Sequence, residues 1–581
     1  MVLGVTSGFR PTQPKRPRRL RTPARTSKDG RIKIVNGQHS LTGNPRADPS
    51  HHPTGPVCSL ALVGLLLTAV IAAACSRPGS STTHRATRTT SAPTTTVALP
   101  PSTTLNWTVY HGDAAGSGAT ESVSAVNTSS PAWTSPALDG QLYGEPLVWS
   151  GRVYVATEND TVYALSSSTG VVTWSTHIAT PVPASSLPCG DISPTVGTTG
   201  TAVIDRSRNE IFVVADELVN GSPAHVLVGL NTTSGAIELT QNVDPPGAEP
   251  AALLQRTGLT LDAGHVVFGM GGNYGDCSTY RGRIVSVDET GGPPTYFTVD
   301  SAPRDSQGAI WMGGAAPTVE GSGDIWVSTG NGSVHSASQP YDDSDSALEL
   351  SSSLQLLQYF APTSWPQDNA TDRDMSMAPA LLPDGQVVLA GKSRIVYLLN
   401  GAHLGGIGGQ EASLASACSE DIDGGSAVVG TTIYIPCLSG TVAIQATVSP
   451  PALRLLWKSG AGGGPPVVAA NLVWTIGQNG ELYGLDSSTG AVVQQASIGV
   501  PVNHFPTPSV GDGLLLAPSA NRVVAFSATV PGKATTTQPK RTKGALRKSA
   551  GSADRESEHS VPGGAWQVPH PSGERGRSPL A

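Results

Sequence analysis

Few groupings in this chain have side chains that could do chemistry by type and spacing alone. The densest is Tyr341-Asp342-Asp343-Ser344-Asp345, with three carboxylates in five residues, the kind of oxygen donors a hard divalent cation prefers. The run lacks the glycine and terminal glutamate of an EF-hand, so it reads as a solvated loop leading into the strand that follows. His403 stands among glycines in GAHLGGIGGQ, which has neither the GxGxxG spacing of a dinucleotide turn nor the GK[ST] ending of a phosphate loop. His265 precedes the apolar run HVVFGM and reads as a strand-edge residue. The segment STGNGS, Ser328–Ser333, reads by itself as a glycine-rich turn after the strand IWVST, where Asn331 tolerates a left-handed backbone. The sequence has no G-x-S-x-G elbow and no H-E-x-x-H pair.

The charges and cysteines restrict where such residues can act. Residues 1–56 carry 11 Lys/Arg against 2 Asp/Glu, and residues 529–581 carry 9 against 4. The remainder holds 16 basic and 37 acidic residues, an acidic body between two basic tails. A nucleic-acid surface needs Lys and Arg to displace phosphate counterions, so an acidic body argues against one. The tails have few apolar residues and are expected to be disordered. Val57 to Ala74 is an uncharged, mostly apolar run that follows the basic leader and ends at Cys75. Small residues before a cysteine resemble a bacterial lipobox. Ala72 sits where that pattern prefers Leu, and the leader is long for a signal peptide. The segment is therefore expected either to be lipidated at Cys75 or to remain as a single-pass anchor. Either way the body would lie at the cell membrane, outside the cytoplasm.

Cys189, Cys277, Cys418 and Cys437 remain, an even number suited to an oxidising compartment, and they allow three pairings. The short separation favours Cys418–Cys437, which leaves Cys189–Cys277. A zinc site is disfavoured because no C-x-x-C pair or spaced histidine is present. These features give a basic leader over 1–56, a signal or anchor segment over 57–75 and a Ser/Thr/Pro-rich flexible linker over 76–104. A folded body follows over 105–528, then a basic tail over 529–581.

The body is built from a repeat. Gly151–Val172 and Asn471–Val492 are identical at nine of 22 ungapped positions, among them Tyr163/Tyr483, Leu165/Leu485 and Thr169-Gly170/Thr489-Gly490. Weaker copies end on Leu230, Val287, Leu350, Leu399, Ile444 and Phe526. The eight anchors are separated by 65, 57, 63, 49, 45, 41 and 41 residues. A period near forty, with alternating strands and glycine-rich turns, predicts propeller blades, and the wider early spacings predict loop insertions. Pro181–Pro194 and Asp244–Pro250 are such insertions and are the first places to look for binding. The fold class is therefore all-β, an eight-bladed β-propeller. Asn106–Ser135 is expected to supply the outer strand that closes the ring.

The unit ALSSSTGVVTW resembles the repeat of pyrroloquinoline quinone (PQQ) proteins, in which a Thr-Gly turn is followed by a tryptophan. The resemblance covers roughly Trp107–Ala528 and implies that Trp174 and Trp457, with Trp133 as a third, dock on neighbouring blades. In the quinoprotein dehydrogenases of this type, calcium and a quinone sit in the central channel, and an Asp takes the substrate proton. Asn331 matches an asparagine that binds calcium there. Arg281-Gly282 matches an Arg-Gly pair, and Asp276 and Asn273 lie where the enzymes carry a glutamate ligand. The vicinal cysteine pair, a catalytic Asp in context and a C-x-x-C-H haem motif are missing. The expectation is a binding or scaffolding module at the cell envelope with protein or carbohydrate partners. The alternative is a divergent dehydrogenase using calcium and PQQ at Asn331 and Asp276 to oxidise an alcohol or sugar.

Overall fold

The computed structural model describes residues 106–501 and 505–531. The leader, the 57–75 segment with Cys75, the 76–104 linker and the tail beyond 531 lie outside the described residues. The body is a ring of eight antiparallel sheets that follow one another along the chain. Blade 1 shows the plan, with Leu147–Trp149, Arg152–Ala156, Thr161–Ser166 and Val172–His177 hydrogen-bonded in that order. The fourth strand alternates between half-buried and exposed residues, because only one of its faces is covered. The second and third strands are covered by blades on both sides and are apolar almost throughout. All eight anchor residues lie on the third strands, or on the equivalent Arg522–Thr529 of blade 8, and are fully buried.

A tryptophan on one blade locks it to the next. Trp174 Nε1 donates to the Thr232 carbonyl at 3.0 Å, and its ring lies over Gly235. Trp457 donates to Ser487 at 3.0 Å over Gly490, and Trp133 to Ser167 at 2.8 Å over Gly170. In each pair the accepting carbonyl lies three residues before the glycine. These glycines have φ of +69 to +72°, and a Cβ at any of them would collide with the indole. The Thr-Gly and Ser-Gly turns are therefore receptors for the preceding blade's tryptophan, which fixes the angle between blades.

The ring closes across the termini. Ala125–Asn127 and Trp133–Thr134 pair with Arg522–Thr529, supplying the outer strand of blade 8 as the sequence predicts. The preceding residues do something the repeat gives no sign of. Trp107 exchanges backbone hydrogen bonds with Val148 of blade 1, and Thr108 accepts from Ile204 of blade 2. Ala114, Ser117 and Gly118 accept from Val319, Val428 and Val468, on blades 4, 6 and 7. Ala119–Thr120 then runs parallel to Val467–Ala469. Residues 107–120 thus cross the propeller axis and bond to the innermost strands of five blades. Their backbone groups saturate strand edges that would otherwise face an open channel. One apolar cluster joins Trp107 and Trp133 to residues of blades 7, 8, 1 and 2.

Cys189–Cys277 and Cys418–Cys437 are both disulfides, with Cα–Cα distances of 6.2 and 5.6 Å. Gly490→Ala should lower stability by about 1–3 kcal/mol, because it strains the left-handed turn and displaces Trp457. Trp457→Phe should also lower stability, by about 1–3 kcal/mol, since the smaller ring loses the indole hydrogen bond and part of the packing on Gly490. Urea unfolding of the two variants checks both, and an unchanged midpoint for Gly490→Ala would contradict the lock.

Candidate functional site

The segments entering the innermost strands, and the turns between second and third strands, gather at the end of the axis away from residues 107–120. They enclose a cavity of about 520 Å³. Its apolar walls include Tyr143, Trp311 and Phe505, and one side carries Arg256. The opposite side is acidic, with Asp372, Asp374, Asp421 and Asp423 around Lys392. Below it the axis is filled by residues of the crossing segment and their partners. Trp107 Nε1 and the His111 amide donate to the two oxygens of buried Glu145, at 2.9 and 2.8 Å. The Tyr110 and His111 rings stack 4.3 Å apart, and the Tyr110 hydroxyl accepts from the Gly425 amide at 3.2 Å. Burial holds His111 neutral, with its pKa lowered to about 4, and raises Glu145 well above the usual carboxylate range.

The acidic wall is organised by one ammonium. Lys392 Nζ lies 2.5 Å from Asp374 Oδ2 and 3.0 Å from Asp372 Oδ1. Partial burial acts to raise the Asp372 pKa, but Lys392 outweighs it and holds the group below its ordinary value. Asn331 is tied into the same cluster. Its amide donates to Asp374 Oδ1 at 2.7 Å, and its Nδ2 to Asp372 Oδ1 at 2.8 Å. Its Oδ1 is buried without a donor. Burial raises the Asp423 pKa to about 6.

The other sequence candidates do not join this cluster. Asp276 lies beside the Cys189–Cys277 disulfide and accepts from the Tyr280 hydroxyl at 2.7 Å. Asn273 donates to the Ala251 carbonyl, and Arg281 to those of Ser301 and Ala302. Asn331 and Asp276 share no hydrogen bond, although Asp276 is near enough to Asp374, Asp372 and Lys392 to feel their charges. His403 is exposed in a turn, and His265 opens its strand beside the Ala263 carbonyl. The expectation of a solvated loop at Tyr341–Asp345 is corrected, because Asp342, Ser344 and Asp345 are buried. Asn369 reaches the loop and donates to Ser344 Oγ at 2.8 Å, drawing it under the short helix Trp365–Asn369.

The donor set at Asn331 does not suit calcium, which takes six to eight oxygens. Lys392 already pairs with both carboxylates there, and Asp276 is engaged by Tyr280. Among the described residues, the three acidic groups that converge closely enough for a metal are Glu320, Asp324 and Glu349, in blade 4 and away from the mouth. Sequence reasoning missed Arg256, Trp311, Asp372, Asp374 and Lys392, which come from blades 3, 4 and 5. The visible signals were a lone Arg in the largely apolar run ALLQRTGLTL and the Asp-x-Asp at 372 and 374. The insertion Pro181–Pro194 does reach the mouth, through Asp191 and Ile192.

Comparison with known proteins agrees with this architecture. Residues 102–301 match the family model described as outer membrane protein assembly factor BamB. No curated protein sequence matches significantly. Among solved structures, quinohemoprotein alcohol dehydrogenase from Pseudomonas putida HK5 superposes with a TM-score of 0.56 at 13% identity, covering 75% of this chain and 82% of that one. The Comamonas testosteroni quinohemoprotein alcohol dehydrogenase gives 0.53 at 16% identity, covering 74% and 82%. A europium-containing methanol dehydrogenase gives 0.54 at 12%, covering 73% and 98%. At such identities the likeness is one of fold. The protein is an eight-bladed β-propeller, and its residues 102–301 resemble the BamB family model.

Behind the mouth, Asp300 is fully buried and neither of its oxygens accepts a hydrogen bond of good geometry. Burial, then the neighbouring Asp342 carboxylate, push its pKa up to about 9. The folded state therefore holds a proton on Asp300 that the unfolded chain releases near pH 4, and stability falls as pH rises from there to about 9. Asp300→Asn should raise the melting temperature at pH 8, by the equivalent of about 1–3 kcal/mol, and leave it unchanged near pH 4. Thermal melts at both pH values check this, and equal effects at both would contradict it.

Proposed function

We propose that the protein is a binding module at the cell envelope, tethered outside the cytoplasm through Cys75 or an uncleaved 57–75 anchor, with the mouth as its ligand site. One observation carries the reading. The axis is filled at one end by residues 107–120 and opens at the other into a polar cavity, so the propeller is a cup and not a through-channel. A shallower depression of about 710 Å³ lies on the filled side, walled by the crossing segment and blades 2 and 3. The two disulfides suit an oxidising compartment. Among the described residues no helix is long and apolar enough to cross a membrane. Protein or carbohydrate partners suit a preformed, charged cavity with aromatic walls. No oxidation step is assigned, because the residues at Asn331 do not provide a calcium seat.

A thermal-shift titration of the full chain with Ca²⁺ and PQQ, alone and together, tests this. A ligand selective for the folded state raises the melting temperature with concentration. The reading predicts no joint, saturable rise at millimolar Ca²⁺. A joint rise that Asn331→Ala abolishes would overturn it in favour of a quinoprotein.

A further inference from the structure

Arg256 is the cation in the mouth without a direct partner, since Glu158 and Asp191 act on its charge only through space. It is 8% exposed, its Nη2 is buried without a hydrogen-bond partner, and no carboxylate among the described residues lies within ion-pair distance. Its contacts are with ring faces, Tyr143 at 5.7 Å and Phe505 at 5.5 Å from the guanidinium carbon to the ring centroids. These attract a cation but leave its N–H donors unused. Gly314 makes the space, with φ of +88° and no Cβ, where any side chain would run into the guanidinium. A buried charge is normally paired. A guanidinium with free donors facing a cavity matches a carboxylate, to which it can donate two parallel bonds.

The rest of the cavity restricts what carries that carboxylate. The lining also presents Asp191, Asp372, Asp374, Asp421 and Asp423, with Lys392 among them. A ligand anionic at both ends would be repelled there, whereas one with hydroxyl donors would be held, because ionised carboxylates only accept. Trp311 and Tyr143 offer faces against which a ring can pack. At about 520 Å³ the cavity is large enough for one or two sugar rings.

We propose that the mouth binds an acidic sugar of the uronic acid class, with its carboxylate on Arg256 and its hydroxyls on the aspartate wall. This rests on the binding reading above and names its ligand class. The test is titration calorimetry of the full chain with glucuronate, with glucose as the same ring lacking the carboxylate, and with acetate as a carboxylate lacking the ring. Glucuronate should bind saturably, and glucose should bind at least about tenfold more weakly for loss of the charged hydrogen bonds. Acetate should show no binding. Arg256→Gln should weaken glucuronate to the level of glucose while melting at or above the wild-type temperature, since it removes an unpaired buried charge. A purely structural arginine would instead lower the melting temperature.

Equal affinity for glucose and glucuronate would overturn the assignment to Arg256 and leave the binding module standing, and this comparison needs no variant. Acetate binding without glucuronate would overturn the sugar class. Binding of Ca²⁺ with PQQ, and of no sugar, would overturn both this proposal and the reading it rests on.

Discussion

The structure depends on one constraint, that a ring of blades has no free edge. The blade-8 strand Arg522–Thr529 would present an open row of amides and carbonyls without a partner, and an open strand edge invites pairing with another chain. Ala125–Asn127 and Trp133–Thr134 cover that row from almost 400 residues away. Trp133 then reaches onward to the Gly170 turn, so the residue that helps complete blade 8 also docks it on blade 1. Residues 107–120 extend the same logic to the axis, where innermost strands would otherwise leave backbone groups facing a solvent-filled bore.

That choice gives the two ends different uses. Where the chain crosses the axis, Trp107, the Tyr110 hydroxyl, the His111 amide and Glu145 are held by one another and by neighbours, while the His111 ring nitrogens are buried without a hydrogen bond. At the other end, charged side chains from several blades converge. Lys392 pairs with Asp372 and Asp374, while the direct contacts of Arg256 are with aromatic rings. The disulfides brace this end, since Cys189–Cys277 joins the blade 1 insertion to the blade 3 turn and Cys418 lies in the segment that also carries Asp421 and Asp423.

The fold was legible because it is periodic. Each anchor from Leu165 to Phe526 marks the same buried position on the same strand, and a repeat states that rule eight times. The docking of Trp174 and Trp457 was legible through the resemblance, since the Thr-Gly turn and the following tryptophan lie close in sequence. The crossing segment was hidden because it occurs once and is built of small residues, HGDAAGSGAT, with no apolar period. The mouth was hidden for another reason. Arg256, Lys392 and Asp423 are far apart in sequence, and only ring closure brings the segments that carry them together. The run at Asp342–Asp345 misled because acidic residues next to a turn are usually solvated, and nothing local shows that Asn369 folds over them.

Hydrogen–deuterium exchange of the full chain, followed over residues 106–120, is the most direct test that the propeller is sealed by its own N-terminal segment. If the segment is part of the fold, amides such as Trp107 and those bonded to it, Val148, Val428 and Val468, should exchange only through opening as rare as that of the blade strands. Exchange of this segment at the rate of an unstructured chain, with the blades still protected, would show that the axis is open and would contradict the account.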